Sequence, residues 1–275
     1  MKVFRYKKGY FELQKKNIVM GIVNVTPDSF SDGGLFLESD NAVRHARKLI
    51  SDGADIIDLG AMSTRPAGSE PVPVSEEIDR LAPVLEKLKN DNIVISVDTV
   101  NPETADFCLL NGADIINDVS GVFNKDMADV VKKYHAGWIM THTCNVPSGS
   151  LVHYPAGVVN AVNEFFDDFL QKCDESGINR EYICIDPGFG FAKTTKDNVE
   201  LLRNLENTVR EDVVHMTALS KKRFIGELTK TEKASDRLYG TLAADVIALM
   251  KGTDILRVHD VSETIQSIAI YNSIK

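Results

Sequence analysis

Eight short apolar runs, each followed by a helical stretch, predict an α/β fold of the (β/α)8 TIM-barrel type, a single domain spanning residues 1–275. Three observations carry this expectation. The runs number eight, the count such a barrel needs at about this length. They are apolar throughout rather than alternating, as in a parallel sheet covered by helices. The stretches SDGADII and LNGADII also repeat one junction, a helix ending at glycine and a strand entered through Ala-Asp.

In order, the runs are IVMGIVN (18–24), ADIIDLG (54–60), IVISVDT (93–99), ADIINDV (113–119), GWIMTH (137–142), YICIDPG (182–188), VVHMTALS (213–220) and DILRVHD (254–260). Stretches such as NAVRHARKLISDG, VSEEIDRLAPVLEKLKN and VNEFFDDFLQKCDESG carry apolar residues three and four apart, the helical period. A doubly wound open sheet is the competing topology, but GIVNVT lacks the G-x-G-x-x-G phosphate loop expected after its first strand. No linker or low-complexity tract marks a second domain.

The net charge of −9 disfavours nucleic acid and anionic membranes as partners, so an anion must be met by a local positive pocket. The opening MKVFRYKKGYFELQKK is basic without the apolar core of a signal peptide, and no apolar run approaches the roughly 18 residues of a membrane span. A cytoplasmic protein is expected. The four cysteines form no C-x-x-C pair and read as free thiols. Cys184 and Trp138 sit in apolar runs as core residues, whereas Cys144 falls in a loop with no basic sequence neighbour to lower its pKa.

Catalytic groups of such barrels lie at the C-terminal strand ends. Here those ends carry Asn24, Asp58, Asp98, Asn117 with Asp118, His142, Asp186, Ser220 with Lys221 and Lys222, and Arg257 with His259. Polar groups near a barrel axis are costly unless paired, so jointly they indicate an active site. Singly, Asp58 and Asp118 read as turn caps. Asp98, Asn117 and Asp186 are mainly acceptors and suit the donor-rich edge of a heterocycle. Lys222, Arg257 and His259 suit an anion, with Arg65 as an addition, and Arg257 and His259 lie two apart on one strand face. A flat ring carrying a phosphate or pyrophosphate is implied. A metal site of Asp98, Asp186, His142 and His259 lacks H-x-H or H-E-x-x-H spacing. A serine nucleophile at Ser220 lacks the G-x-S-x-G turn.

Together, GIVNVTPDSFSDGG, DLGAMSTRPAG, ISVDT, GADIINDVSG, IDPGFGFAKT, LSKKRFIG and ILRVHDVSET resemble the dihydropteroate synthase family, in its order and over nearly the whole chain. The resemblance implies condensation of 6-hydroxymethyl-7,8-dihydropterin diphosphate with p-aminobenzoate, releasing pyrophosphate. It implies that Asp98, Asn117, Asp186 and Lys222 hold the pterin. Asn24, Thr64, Arg65, Arg257 and His259 would hold the pyrophosphate, Asn24 also binding Mg2+ with it. Phe30, Pro66, Ser220 and Arg223 would border p-aminobenzoate, and Val25 to Gly34 would form a lid. Asp98, Asp186, Lys222, Arg257 and His259 would carry catalysis. Sulfonamide sensitivity and a homodimer formed through C-terminal helices are further family properties.

Met62, Thr143, the stretch CNVPSGS, Ala192, Lys221 and Arg223 depart from the family's usual residues, without removing a pterin or pyrophosphate contact. The alternatives are a pterin-dependent methyltransferase, a pterin-binding paralogue without synthase activity, and a metal-dependent barrel hydrolase. The first would not need Arg257, His259 and STRP.

Overall fold

The computed structural model describes residues 2–25, 34–61, 72–144 and 150–274. The chain begins with an antiparallel hairpin, β1 (Val3–Tyr6) and β2 (Gly9–Glu12). Eight parallel strands follow: β3 (Ile18–Asn24), β4 (Ile56–Gly60), β5 (Val94–Asp98), β6 (Ile115–Asp118), β7 (Gly137–Thr141), β8 (Ile183–Asp186), β9 (Val214–Thr217) and β10 (Ile255–Val258). They pair in chain order and close by the β10–β3 ladder. The (β/α)8 barrel expected from the apolar runs is therefore the fold, each strand lying inside its predicted run.

Helices α1 (Gly34–Ser51), α2 (Val74–Leu88), α3 (Pro102–Leu110), α4 (Lys125–Tyr134), α5 (Val158–Glu175), α6 (Thr195–Arg203), α7 (Arg223–Thr229), α8 (Leu238–Met250) and α9 (Val261–Ile274) surround the barrel. Their starts and stops follow local chemistry. Asn124 accepts the Asp126 amide at 2.8 Å to cap α4. Thr194 and Asp197 cap α6 reciprocally, each side chain meeting the other's amide. None of the helices among the described residues is long and apolar enough to cross a membrane.

Strand residues two apart face the same side. Ile18, Met20, Ile56, Ile115, Ile139, Cys184, Val214, Met216 and Ile255 fill the barrel interior. Their outward neighbours, including Val19, Ile57, Val97 and Trp138, pack against the helices. Trp138 meets Phe169 edge-on with centroids 5.0 Å apart. Both Trp138 and Cys184 are core residues, as their runs suggest.

The hairpin is an addition to the expected fold. It closes the N-terminal mouth by inserting the fully buried Phe4 into the interior cluster. Gly137 allows this, because a Cβ there would stand 2.9 Å from the Phe4 ring. The opposite mouth is left for polar side chains.

One buried group is unrelated to that mouth. Asp245 of α8 is 1% exposed, and neither carboxylate oxygen has a hydrogen-bond partner among the described residues. Burial, with repulsion from Asp260, pushes its carboxyl up to about 8. Its stabilising contribution is therefore full below the ordinary carboxylate range and is lost as pH rises toward 8. Asp245→Asn cannot ionise, so the variant should gain stability over the parent by roughly 2–4 kcal/mol more at pH 8 than at pH 5. Urea unfolding at both pH values checks this. A pH-independent difference would count against it.

Candidate active site

Period two places Asp58, Asp98, Asn117, Asp186 and Arg257 above the apolar interior, at the C-terminal ends of five strands. Each follows an inward apolar or small residue by two positions: Ile56, Ser96, Ile115, Cys184 and Ile255. Arg257 is at the centre. Its Nε donates to Asp58 Oδ2 at 2.7 Å and its Nη2 to Asp98 Oδ2 at 3.1 Å. Asn117 Nδ2 donates to the same Asp58 oxygen at 3.0 Å. Burial opposes the guanidinium charge, but Asp58 and Asp98 outweigh it and raise the Arg257 pKa. Burial pushes the Asp98 carboxyl up to about 7, with Arg257 holding it down and Asp58 adding to the rise. Asn117 Oδ1, Asp58 Oδ1 and Thr141 Oγ1 are buried without hydrogen-bond partners among the described residues. The mouth is thus rich in acceptors that lack donors.

Asp186 is buried and accepts the Gly188 amide at 2.8 Å. Burial raises its pKa, partly offset by that hydrogen bond and by Lys222. The turn requires glycine at 188, where φ is +69° and a Cβ would come within 2.0 Å of His142 O. Lys222 precedes α7, its Nζ 4.5 Å from the centroid of the Phe191 ring. Burial pushes this ammonium down to about 8, with Asp186 resisting.

Lys193, 4% exposed, pins the loop after β8 to the end of β7. Its Nζ reaches the carbonyls of Gly188, His142 and Phe191 at 3.0, 3.2 and 3.3 Å and lies 2.9 Å from His142 Nδ1. Burial pushes Lys193 down to about 7 and His142 down to about 2, the latter with help from Lys193.

On the far side, His259 Nδ1 lies 2.9 Å from Ser220 Oγ, which accepts the His259 backbone amide at 3.2 Å. When the hydroxyl donates to Nδ1, the neutral ring carries its proton on Nε2. Burial, with Lys221 and Arg257 adding, pushes His259 down to about 4. Contact through Nδ1 orients the imidazole. Lys221 binds Asp260 at 2.9 Å.

Most of the residues expected at strand ends share this mouth, with two differences in detail. Asp118 caps its turn by accepting the Ser120 amide at 2.9 Å, as a bland reading of it suggests. Asp58 does not: it is the shared acceptor of Arg257 and Asn117. The signal was its place two residues after Ile56, matching the inward strand ends. Lys193 was also overlooked, although it stands in the IDPGFGFAKT stretch. Arg223 is exposed and paired with Glu227 at 2.8 Å. Asn24 ends β3 with an exposed side chain beside Gly60. Phe30, Thr64, Arg65 and Pro66, and nearly all of the expected lid, lie outside the described residues.

The residues of the metal-site alternative are not assembled. His142 is held by Lys193 and His259 by Ser220. Among the described residues, no group of three or more His, Cys, Asp or Glu side chains has metal-holding geometry. Of the departures, Thr143 donates to Ser120 O at 3.0 Å. Ala192 holds a left-handed φ of +52°, the conformation that suits the glycine usual there.

The mouth of this (β/α)8 barrel sets acceptors beside the cations Lys222 and Arg257, and the family model described as "Pterin binding enzyme" matches residues 20–259, which places the chain in that class. A dihydropteroate synthase type-3 of Escherichia coli is 40% identical over 257 residues, covering 92% of this chain and 97% of that one. The dihydropteroate synthase of Xanthomonas albilineans, solved with 4-aminobenzoic acid, superposes with a TM-score of 0.89 at 39% identity, covering 96% and 95% of the two chains. That of Clostridium difficile, solved in the presence of pteroic acid, gives 0.89 at 38% identity over 96% and 98%. The chain belongs to the dihydropteroate synthase family.

Proposed function

We propose that the chain condenses 6-hydroxymethyl-7,8-dihydropterin diphosphate with p-aminobenzoate, releasing pyrophosphate, and that the mouth of the barrel is where it does so. The observation that carries the reading is the set of buried acceptors at one strand-end layer, Asp98, Asn117 Oδ1 and Asp186, beside the cations Lys222 and Arg257. A pterin presents adjacent N–H donors along one edge. Two carboxylates and an amide oxygen complement that edge through charge-assisted hydrogen bonds. Lys222 flanks the ring.

Arg257, whose Nη1 has no hydrogen bond among the described residues, and His259 are the donors for the diphosphate. Thr64 and Arg65 belong to the same reading. Charge grows on the pyrophosphate as its bond to the exocyclic methylene breaks, and fixed cations stabilise that charge. The pterin ring stabilises the electron-poor carbon, which the aryl amine then attacks. No protein nucleophile is required. Asn24 would hold Mg2+, since its exposed amide oxygen is a hard donor and substrate phosphates commonly complete such a shell. When bound, Mg2+ supplies charge neutralisation at the diphosphate.

Phe30, Pro66 and Ser220 are the proposed neighbours of p-aminobenzoate, the subsite a sulfonamide would contest. Arg223 would join them on leaving Glu227. A cytoplasmic homodimer completes the reading. Met250 of α8 and Ile270 of α9 are exposed apolar residues that suit a helical contact between copies.

The reading makes pterin binding pH-dependent. The N–H edge requires the Asp98 carboxylate, and that group is held up to about 7. Protonation below that pH removes an acceptor, so affinity falls as pH falls. Calorimetry with the pterin diphosphate should show binding about tenfold weaker at pH 6 than at pH 8. Equal affinity at the two values would remove Asp98 from the ring site.

A further inference from the structure

A second cluster of reactive groups lies beside this mouth and has no part in the chemistry above. It is built around Cys144, which directly follows β7 and the pair His142-Thr143. The backbone of Cys144 is left-handed, with φ +62°, and its Sγ lies 3.5 Å from His142 Nε2. Tyr154 Oη is 3.3 Å from the same sulfur and 3.2 Å from Ala192 O. The tautomer of His142 follows from Lys193. In its ammonium form Lys193 has no lone pair, so His142 Nδ1 accepts from it and Nε2 carries the ring proton. That proton is directed at the sulfur. With Lys193 protonated, the arrangement Lys193–His142–Cys144 thus aims a ring N–H at the sulfur.

The thiol is also reachable. A cavity of 380 Å3 is lined by Cys144, His142, His153 and Tyr154, among others. His153 and Tyr154 also line an adjoining cleft of 510 Å3. By contrast, Cys108, Cys173 and Cys184 are fully buried. Burial pushes all three thiols up.

We propose that Cys144 is a modification site: a reactive thiol that forms mixed disulfides with small organic disulfides entering this cavity. The Cys144 thiolate attacks one sulfur of the incoming disulfide. A new sulfur–sulfur bond forms at Cys144, the original bond breaks, and the departing thiolate takes up a proton equivalent to the one Cys144 gave up. Cys144 is oxidised and half of the small disulfide is reduced, so no other oxidant enters.

The proposal is independent of the synthase reading and is tested without substrate. The full chain is incubated at pH 6.5, where Lys193 is protonated, with oxidised glutathione and followed by intact-mass spectrometry, once folded and once in urea. The folded chain should gain one adduct, mapping to Cys144 and removed by dithiothreitol. It should form about fivefold faster than the per-thiol rate in urea, where all four cysteines are unassisted. Cys144→Ser should gain none when folded. Tyr154→Phe, which keeps the ring and removes one hydrogen bond, should slow the native reaction while leaving the urea rate unchanged. A folded-state rate at or below the per-thiol urea rate would overturn the proposal, as would an adduct that persists in Cys144→Ser.

Discussion

Arg257→Ala is expected to cause the largest loss of any single substitution in this protein, in stability and in ligand binding together. The guanidinium joins two buried carboxylates, donating to Asp58 at 2.7 Å and to Asp98 at 3.1 Å. Removing one partner of a buried ionic group leaves the others uncompensated, which typically costs about 3–5 kcal/mol. Urea unfolding of the ligand-free protein should show a loss of that order. Asp98, already held up to about 7 by burial, loses the cation that restrains it and moves higher. Affinity for the pterin diphosphate should fall by about 100-fold or more, the scale for truncating one member of a desolvated charge pair. Affinity for the bare pterin alcohol should fall by about tenfold, through Asp98 alone. Arg257→Lys separates the two effects by keeping a charge near the carboxylates while losing the fork that spans them. Equal losses for both ligands in both variants would remove Arg257 from the pyrophosphate site.

Asp186→Ala should be nearly as severe for binding and much milder for the fold. Among the described residues the carboxylate accepts the Gly188 amide, and burial raises its pKa. Its loss strands that amide, at about 1–3 kcal/mol. The loop after β8 retains its other restraint, the Lys193 ammonium on Gly188 O and His142 O. The alanine variant should therefore fold, with a cooperative melt. Pterin affinity should drop by about 100-fold or more, because a paired, charge-assisted contact to the ring edge is lost. Calorimetry with the pterin alcohol reads this directly, since no diphosphate contact contributes. Near-parental affinity would mean that the acceptors of the mouth serve some other ligand.

The barrel was legible because each strand is buried on both faces, and a run such as IVMGIVN has no other comfortable place in a protein of this size. The hairpin was not. VFRY and GYFE are four residues each, interleaved with lysines, and their meaning comes from Phe4 reaching the underside of β7 at Gly137. The mouth was legible in its residue types and partly in its geometry. Arg257 and His259 announce a shared face through their spacing. Asp58 was disguised, because an aspartate at a strand end reads equally as a turn cap, and only the closed barrel brings it to Arg257, 199 positions away. Lys193 was hidden for the same reason, since its key partner His142 is 51 residues distant. Cys144 shows the reverse case. Its basic neighbour His142 is only two residues away, a spacing that puts both side chains on one face of an extended chain, so this signal was present and was overlooked. In the structure sulfur and imidazole stand 3.5 Å apart.

The most direct test of the central claim is pyrophosphate release by the purified protein given 6-hydroxymethyl-7,8-dihydropterin diphosphate, Mg2+ and p-aminobenzoate, with each component omitted in turn. Release that requires all three is the predicted result. Absence of release from the complete mixture, with pterin binding still measurable by calorimetry, would contradict it and leave a ring-binding barrel without the condensation.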